Sequence, residues 1–122
     1  MELYDEEAKK HGVRVLVKPV GDAPVETWVD GTLESYQAIV NGYCERIVLT
    51  PGAATGIDLV IDEEGLLKSV EFNFVSNHGV IMGNCFFVRY DAHGNWVSLT
   101  DGDVAALRVG FNGLEYAEEA LS

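Results

Sequence analysis

Short apolar runs closed by turn-forming residues constrain this chain more than any other feature. From Val13, the alternation of Val13, Val15 and Val17 with Arg14, Leu16 and Lys18 reads as a strand, because successive side chains of a strand point to opposite sides. Pro19 and the Gly21-Asp22-Ala23-Pro24 cluster end it, and Val25 to Val29 returns as the second strand of a hairpin. Glu45 to Leu49, Ile57 to Ile61, Leu66 to Phe74, Cys85 to Tyr90 and Trp96 to Leu99 read as further strands. The acidic turn Asp62-Glu63-Glu64-Gly65, with Gly65 in the left-handed position, is expected to join Ile57–Ile61 to its hairpin partner Leu66–Phe74. Asp91-Ala92-His93-Gly94-Asn95 is a second hairpin loop.

Two helical signals break this pattern. Thr32 can cap a helix with apolar positions Leu33, Tyr36, Ile39 and Val40, Glu34 at its positive end and Asn41-Gly42 as its stop. Thr100 and Asp103 have the spacing of a capping box, with Leu99 and Val104 placed as a hydrophobic staple, for a helix running through Leu107 and Val109 toward Gly110. Hairpins outnumber crossovers. The expected fold is therefore α+β, an antiparallel or mixed sheet with two short helices packed on one face. Residues 13–110 form the single domain, with an acidic arm over 1–12 and an acidic tail or short helix over 111–122.

Charge excludes several functions. Twenty acidic residues against eight basic ones leave a formal charge of −12, beyond the magnitude of about 2 to 8 usual for a small soluble domain. The basic residues are scattered, whereas phosphate backbones are bound by clustered Lys and Arg, so neither direct nucleic-acid binding nor an anionic membrane surface is expected. An acidic excess suits a basic partner protein, or serves solubility. No run approaches the roughly 18 apolar residues of a membrane span, and the acidic start is unlike a signal peptide, so the expected location is cytoplasmic. Cys44 and Cys85 read as buried thiols, and Trp28, Tyr36, Tyr43 and Trp96 as core aromatics.

The motifs that carry chemistry are weak. Pro51-Gly52-Ala53-Ala54-Thr55-Gly56 is glycine-rich but lacks the Lys-Ser/Thr ending of a phosphate loop. Asp62, Glu63 and Glu64 lack the spacing of a calcium loop, and His11, His78 and His93 lack the spacing of a metal pair, so neither a metal nor a cofactor is expected. Ser76 and His78 are close in sequence, but without an oriented base or an oxyanion hole they do not make a nucleophile, and no enzymatic activity is expected. The segment Val75 to Gly83 reads as a polar, flexible loop between two apolar strands. Asn73, Ser76, Asn77, His78 and Gly83 are accordingly the candidate ligand- or partner-binding residues. The competing reading is that Asn73 and Asn77 satisfy local backbone groups.

Gly31-Thr32-Leu33-Glu34-Ser35-Tyr36-Gln37-Ala38-Ile39-Val40-Asn41-Gly42-Tyr43, then Asp62-Glu63-Glu64-Gly65-Leu66-Leu67, Phe72-Asn73 and Ser98-Leu99-Thr100-Asp101 together resemble the domain-of-unknown-function family 3846, over roughly Val13 to Leu107. Of the family pattern, an Asn after the apolar strand and a Gly before the next are matched by Asn73 and Gly83. Members occur in phages, plasmids and other bacterial mobile elements, often near antirestriction genes. The resemblance implies a mobile-element accessory protein and supplies no catalytic residues. The expected function is a non-catalytic binding protein, an inhibitor of a host defence protein. One alternative is sequestration of a small signalling ligand such as a nucleotide, whose phosphates would need Arg14, Arg46 or Arg89. The other is acidic DNA mimicry, which is weakened because residues 1–10 and 114–122 hold seven of the 20 acidic residues.

Overall fold

Each residue from Cys85 to Val88 is buried, and a strand whose neighbouring side chains are all buried must be covered on both faces. The computed structural model describes residues 12–48, 56–65, 67–68, 70–76 and 79–110. Its elements in chain order are β1 (Val13–Lys18), β2 (Val25–Val29), helix α1 (Leu33–Val40), β3 (Cys44–Val48), β4 (Ile57–Asp62), β5 (Phe72–Ser76), β6 (Gly79–Met82), β7 (Cys85–Tyr90) and β8 (Trp96–Val97). A second helix, α2, occupies 101–110. The main sheet has the order β2-β1-β7-β4-β3, with β8 also on β7, and β5 and β6 form a separate two-stranded ribbon. Every pairing among the described strands is antiparallel.

β7 is the axis of this sheet. β4 lies along one side of it, from Phe86 to Arg89. The other side is shared, with β1 beside Cys85 to Phe87 and β8 beside Arg89 and Tyr90. The two faces hold two cores. Val15, Val29, Val60, Phe86 and Val88 pack with Tyr36 and Val40 of α1. Leu16, Ile57, Leu59, Cys85 and Phe87 pack with Phe74 and Ile81 of the ribbon and with Leu99, Val104 and Leu107 at α2.

The α+β class and the antiparallel sheet match expectation, but the two helices lie on opposite faces rather than on one. The cause is the unbroken burial along β4 and β7, which leaves no wet face to the sheet centre. A second correction concerns Asp62 to Gly65. The turn forms, with Gly65 N donating to Asp62 O at 3.0 Å, yet Gly65 is not among the positive-φ residues. Nor does the turn lead into a hairpin partner of β4. Both edges of β4 are already taken by β3 and β7, so the next strand begins only at Phe72, in the ribbon. The segment read as a loop, Val75 to Gly83, is largely β-structure.

Helix ends are fixed as the sequence indicates. Thr32 Oγ1 accepts from Ser35 N at 3.2 Å, and Asn41, at φ 57°, closes α1 in the left-handed conformation. Of its expected apolar positions Tyr36 and Val40 are buried, whereas Leu33 is exposed. At α2, Asp103 N donates to Thr100 Oγ1 at 3.1 Å and Thr100 N donates to Asp103 Oδ2 at 2.9 Å, a reciprocal capping box. Arg89 of β7 then grips the same carboxylate, Nε to Oδ2 at 2.7 Å and Nη2 to Oδ1 at 2.6 Å. This bidentate pair ties α2 to the sheet centre. Gly56 makes room for it. At φ 88°, a Cβ on this residue would stand 2.6 Å from Arg89 Nη1. The terminal segments expected over 1–12 and 111–122 lie outside the described residues, except for Gly12.

The Arg89 guanidinium, opposed by burial and helped by the Thr100 amide, lowers the Asp103 pKa from 3.8 to about 2. A depressed carboxylate pKa stabilises the fold above the unfolded-state value and loses that contribution as pH falls through the folded one. The shift corresponds to about 2 kcal/mol, of which about 1 kcal/mol is gone by pH 3. Urea unfolding at pH 6 and pH 3 should show this loss in the wild type and a smaller one in Asp103→Asn, which should already be weaker at pH 6.

Candidate functional site

The sequence pointed to the segment around Asn73, and the structure gives each of its residues a place. Asn73 is buried on β5. Its Nδ2 donates to Lys18 O and to Gly83 O, both at 2.8 Å, and its Oδ1 accepts from Lys18 Nζ at 2.9 Å. Lys18 Nζ also donates to Pro19 O at 2.9 Å. One amide thus fastens three pieces of chain: the end of β1, the start of β5 and the turn after β6. Gly83 is left-handed, at φ 77°, a conformation that favours glycine, and it presents its carbonyl to Asn73. Buried among these groups, the Cys85 thiol is pushed up to about 12 by desolvation, against the opposing pull of Lys18. It is an inert thiol. Cys44 is half-buried rather than buried.

The site residues therefore divide. Asn73 and Gly83 meet in a clasp in which both Asn73 amide donors go to backbone carbonyls and its Oδ1 accepts from Lys18, and the local-satisfaction reading describes Asn73. Ser76 sits at the far end of β5, where its Oγ donates to Gly79 O at 3.1 Å across the ribbon. Asn77 and His78 lie outside the described residues.

The clasp has a further effect on β5. Cα register shifts between Phe72 and Phe74, which pair with Met82 and Ile81. Asn73 and Phe74 are consecutive residues and both are buried, so alternation is broken there. A bulge of this kind re-aims the side chains beyond it. Phe72 is turned away from the core, onto the side of the ribbon that carries Val75 and Val80, which pair directly with each other. These three remain 47%, 52% and 46% exposed. Sequence reading misses them because it ends the strand at Phe74 and places Val75 and Val80 in a loop. The available signal was the Asn itself, a polar residue inside an apolar run.

A second constellation lies on the α1 face, beyond Tyr36 and Phe86. The Trp96 ring stands edge-on to Tyr36 at 4.8 Å and to Phe86 at 5.9 Å. Its Nε1 donates to Asp58 Oδ2 at 2.9 Å, and Arg46 Nε approaches the same oxygen at 2.8 Å. Asp58 is fully buried and its Oδ1 has no hydrogen-bond partner. The Arg46 side chain is 45% exposed, with Cζ 5.3 Å from the centre of the Tyr90 ring, a cation–π distance. The other two arginines singled out for phosphate are engaged elsewhere, Arg14 by Glu26 at 2.6 Å and Asp101 at 2.7 Å, and Arg89 by Asp103.

Among the described residues no cluster of His, Cys, Asp and Glu is placed to hold a metal ion, and no helix is long and apolar enough to cross a membrane. His93 lies in the turn after β7, where its backbone N donates to Asp91 Oδ1 at 2.9 Å.

The family model for Domain of unknown function (DUF3846) matches residues 13–112. The chain belongs to this family. The match starts at the first residue of β1 and takes in every strand and both helices, so the DUF3846 unit coincides with the double-faced sheet and its covers. No curated protein and no solved structure matches the chain.

Asn73→Ala in this DUF3846 domain removes two donors from buried carbonyls and one acceptor from a buried ammonium. A destabilisation of about 3 kcal/mol is expected by urea denaturation, at about 1 to 3 kcal/mol for each stranded group. Trp96→Phe keeps an aromatic ring but takes a donor from a carboxylate whose other oxygen already has none, and about 2 kcal/mol should be lost in the same assay.

Proposed function

We propose that this DUF3846 domain is a non-catalytic binding protein that docks a protein partner on the outer side of the β5–β6 ribbon, the partner class being a host defence protein. The observation that carries the reading is the exposure of Phe72, Val75 and Val80 on one side of a ribbon whose other side is anchored in the core. Apolar side chains held together on a rigid element are a common basis of protein recognition. The mobile-element setting of the resemblance supplies the partner class, and with it an origin in a phage or other mobile element and a cytoplasmic site of action. Asn73 of the same segment points inward and is engaged by Lys18 and Gly83, so the outer side of the ribbon offers apolar contact area. The test is expression in a bacterial host that carries an active defence system. Wild type should relieve restriction of an incoming phage or plasmid, whereas a Phe72→Thr/Val75→Thr/Val80→Thr variant with an unchanged unfolding midpoint should not. Equal relief by the two proteins would refute the reading.

A small-ligand reading is favoured by a different observation, the partly exposed Arg46 guanidinium over the Tyr90 ring. A planar anion would meet the guanidinium and the aromatic face together. Thermal shift against nucleotides and cyclic dinucleotides tests it: a rise of a few degrees that disappears in Arg46→Leu supports it, and no rise with any of them refutes it.

A further inference from the structure

We infer that the partner's contact surface is an apolar patch ringed by lysine and arginine, an inference that rests on the ribbon being the binding surface. Exposed carboxylates lie near both strands of the ribbon. Glu71 immediately precedes Phe72 and is exposed, and its carbonyl receives Gly83 N at 2.8 Å, which continues the ribbon ladder. At the other strand, the turn that follows β4 leans on Met82. A Cβ at Gly65 would lie 3.2 Å from Met82 O and 3.7 Å from Met82 Cβ. This turn carries Glu63 and Glu64, both exposed.

Lys68, in the same turn as Glu63 and Glu64, is already engaged. Lys68 Nζ donates to the buried Asp62 Oδ2 at 2.7 Å and to Asn41 O at 3.3 Å. Asp62 holds Lys68 above its ordinary pKa, chiefly through that hydrogen bond. Lys68 thus balances Asp62, while Glu63, Glu64 and Glu71 are exposed carboxylates among the described residues. Leu67, 88% exposed in the same turn, adds apolar surface there.

Charge also decides against a second copy of this chain. Two chains of formal charge −12 docked ribbon to ribbon would bring like borders together, and like-charge juxtaposition at an interface costs several kcal/mol. An opposite border on the partner speeds encounter and fixes orientation, while the apolar centre supplies the contact area.

The experiment uses the full chain and two synthetic amphipathic helical peptides, one of leucine and lysine and one of leucine and glutamate, with binding read by fluorescence anisotropy at 50 and 300 mM salt. The lysine peptide should bind at least about tenfold more tightly than the glutamate peptide at low salt, with the gap narrowing at high salt. Glu63→Gln/Glu64→Gln/Glu71→Gln should weaken the lysine peptide by about tenfold and flatten its salt dependence. Phe72→Thr/Val75→Thr/Val80→Thr should abolish binding with the charges intact. Thermal midpoints of both variants exclude loss of fold. Equal affinity for the two peptides, or binding of neither, overturns the basic-rimmed partner while the restriction assay still decides the ribbon reading. Lysine-peptide binding unaffected by the threonine substitutions shows attraction to bulk charge alone and overturns the inference. A concentration-dependent dimer in light scattering that the threonine variant loses overturns it in favour of a second copy.

Discussion

Burial of β4 and β7 on both faces is the constraint from which the remainder of the structure follows. Cys85, Phe86, Phe87 and Val88 send alternate side chains to opposite sides, and Ile57, Leu59 and Val60 do the same one strand over. Each face then requires its own cover. The short chain meets this with unlike pieces, α1 on one side and a composite of the ribbon and α2 on the other. Neither the ribbon nor a helix of this length is stable alone in water, so the covers depend on the sheet as much as the sheet depends on them.

The ribbon and α2 are held to the sheet by polar contacts as well as by apolar ones. Asn73 locks the ribbon to β1, and Arg89 locks α2 to β7 through Asp103. On the α1 face the corresponding contact is intramural: Asp58 draws Trp96 and Arg46 together, and the indole in turn packs on Tyr36. Non-directional burial permits a cover to slide, while a two-pronged hydrogen bond selects one position. The first two are each built from more than one hydrogen bond. The third leaves Asp58 Oδ1 without a partner, an uncommon condition for a buried carboxylate oxygen.

Much of the architecture was readable from local pattern. The caps at Thr32 and Thr100 are short-range chemistry and appear where the residue types indicate. Strands β1, β2, β4 and β7 follow from apolar runs bounded by turn residues. Spatial assignments were less legible, because they depend on which side of the sheet each apolar run finds. Cys85-Phe86-Phe87-Val88 did carry the information, as a continuous run rather than an alternating one, and with it the placement of the helices on opposite faces. Arg89 meeting Asp103 and Lys18 meeting Asn73 are separated by 14 and 55 positions, and no periodicity links them. The Asn73 segment is distinctive in the sequence for its polar residues, yet Asn73 itself is turned inward onto Lys18 while its apolar neighbours Phe72 and Val75 are left at the surface.

The bulge at Asn73 separates two kinds of evolutionary freedom. Inward positions of the ribbon, Asn73, Phe74 and Ile81, are bound by the clasp and by the packing of the second core. Outward positions, Phe72, Val75 and Val80, belong to neither the clasp nor the buried core clusters, so exchanging their side chains costs the remainder of the molecule less. Sequence change can therefore accumulate on the outer side residue by residue, while the folded scaffold beneath it is inherited unaltered.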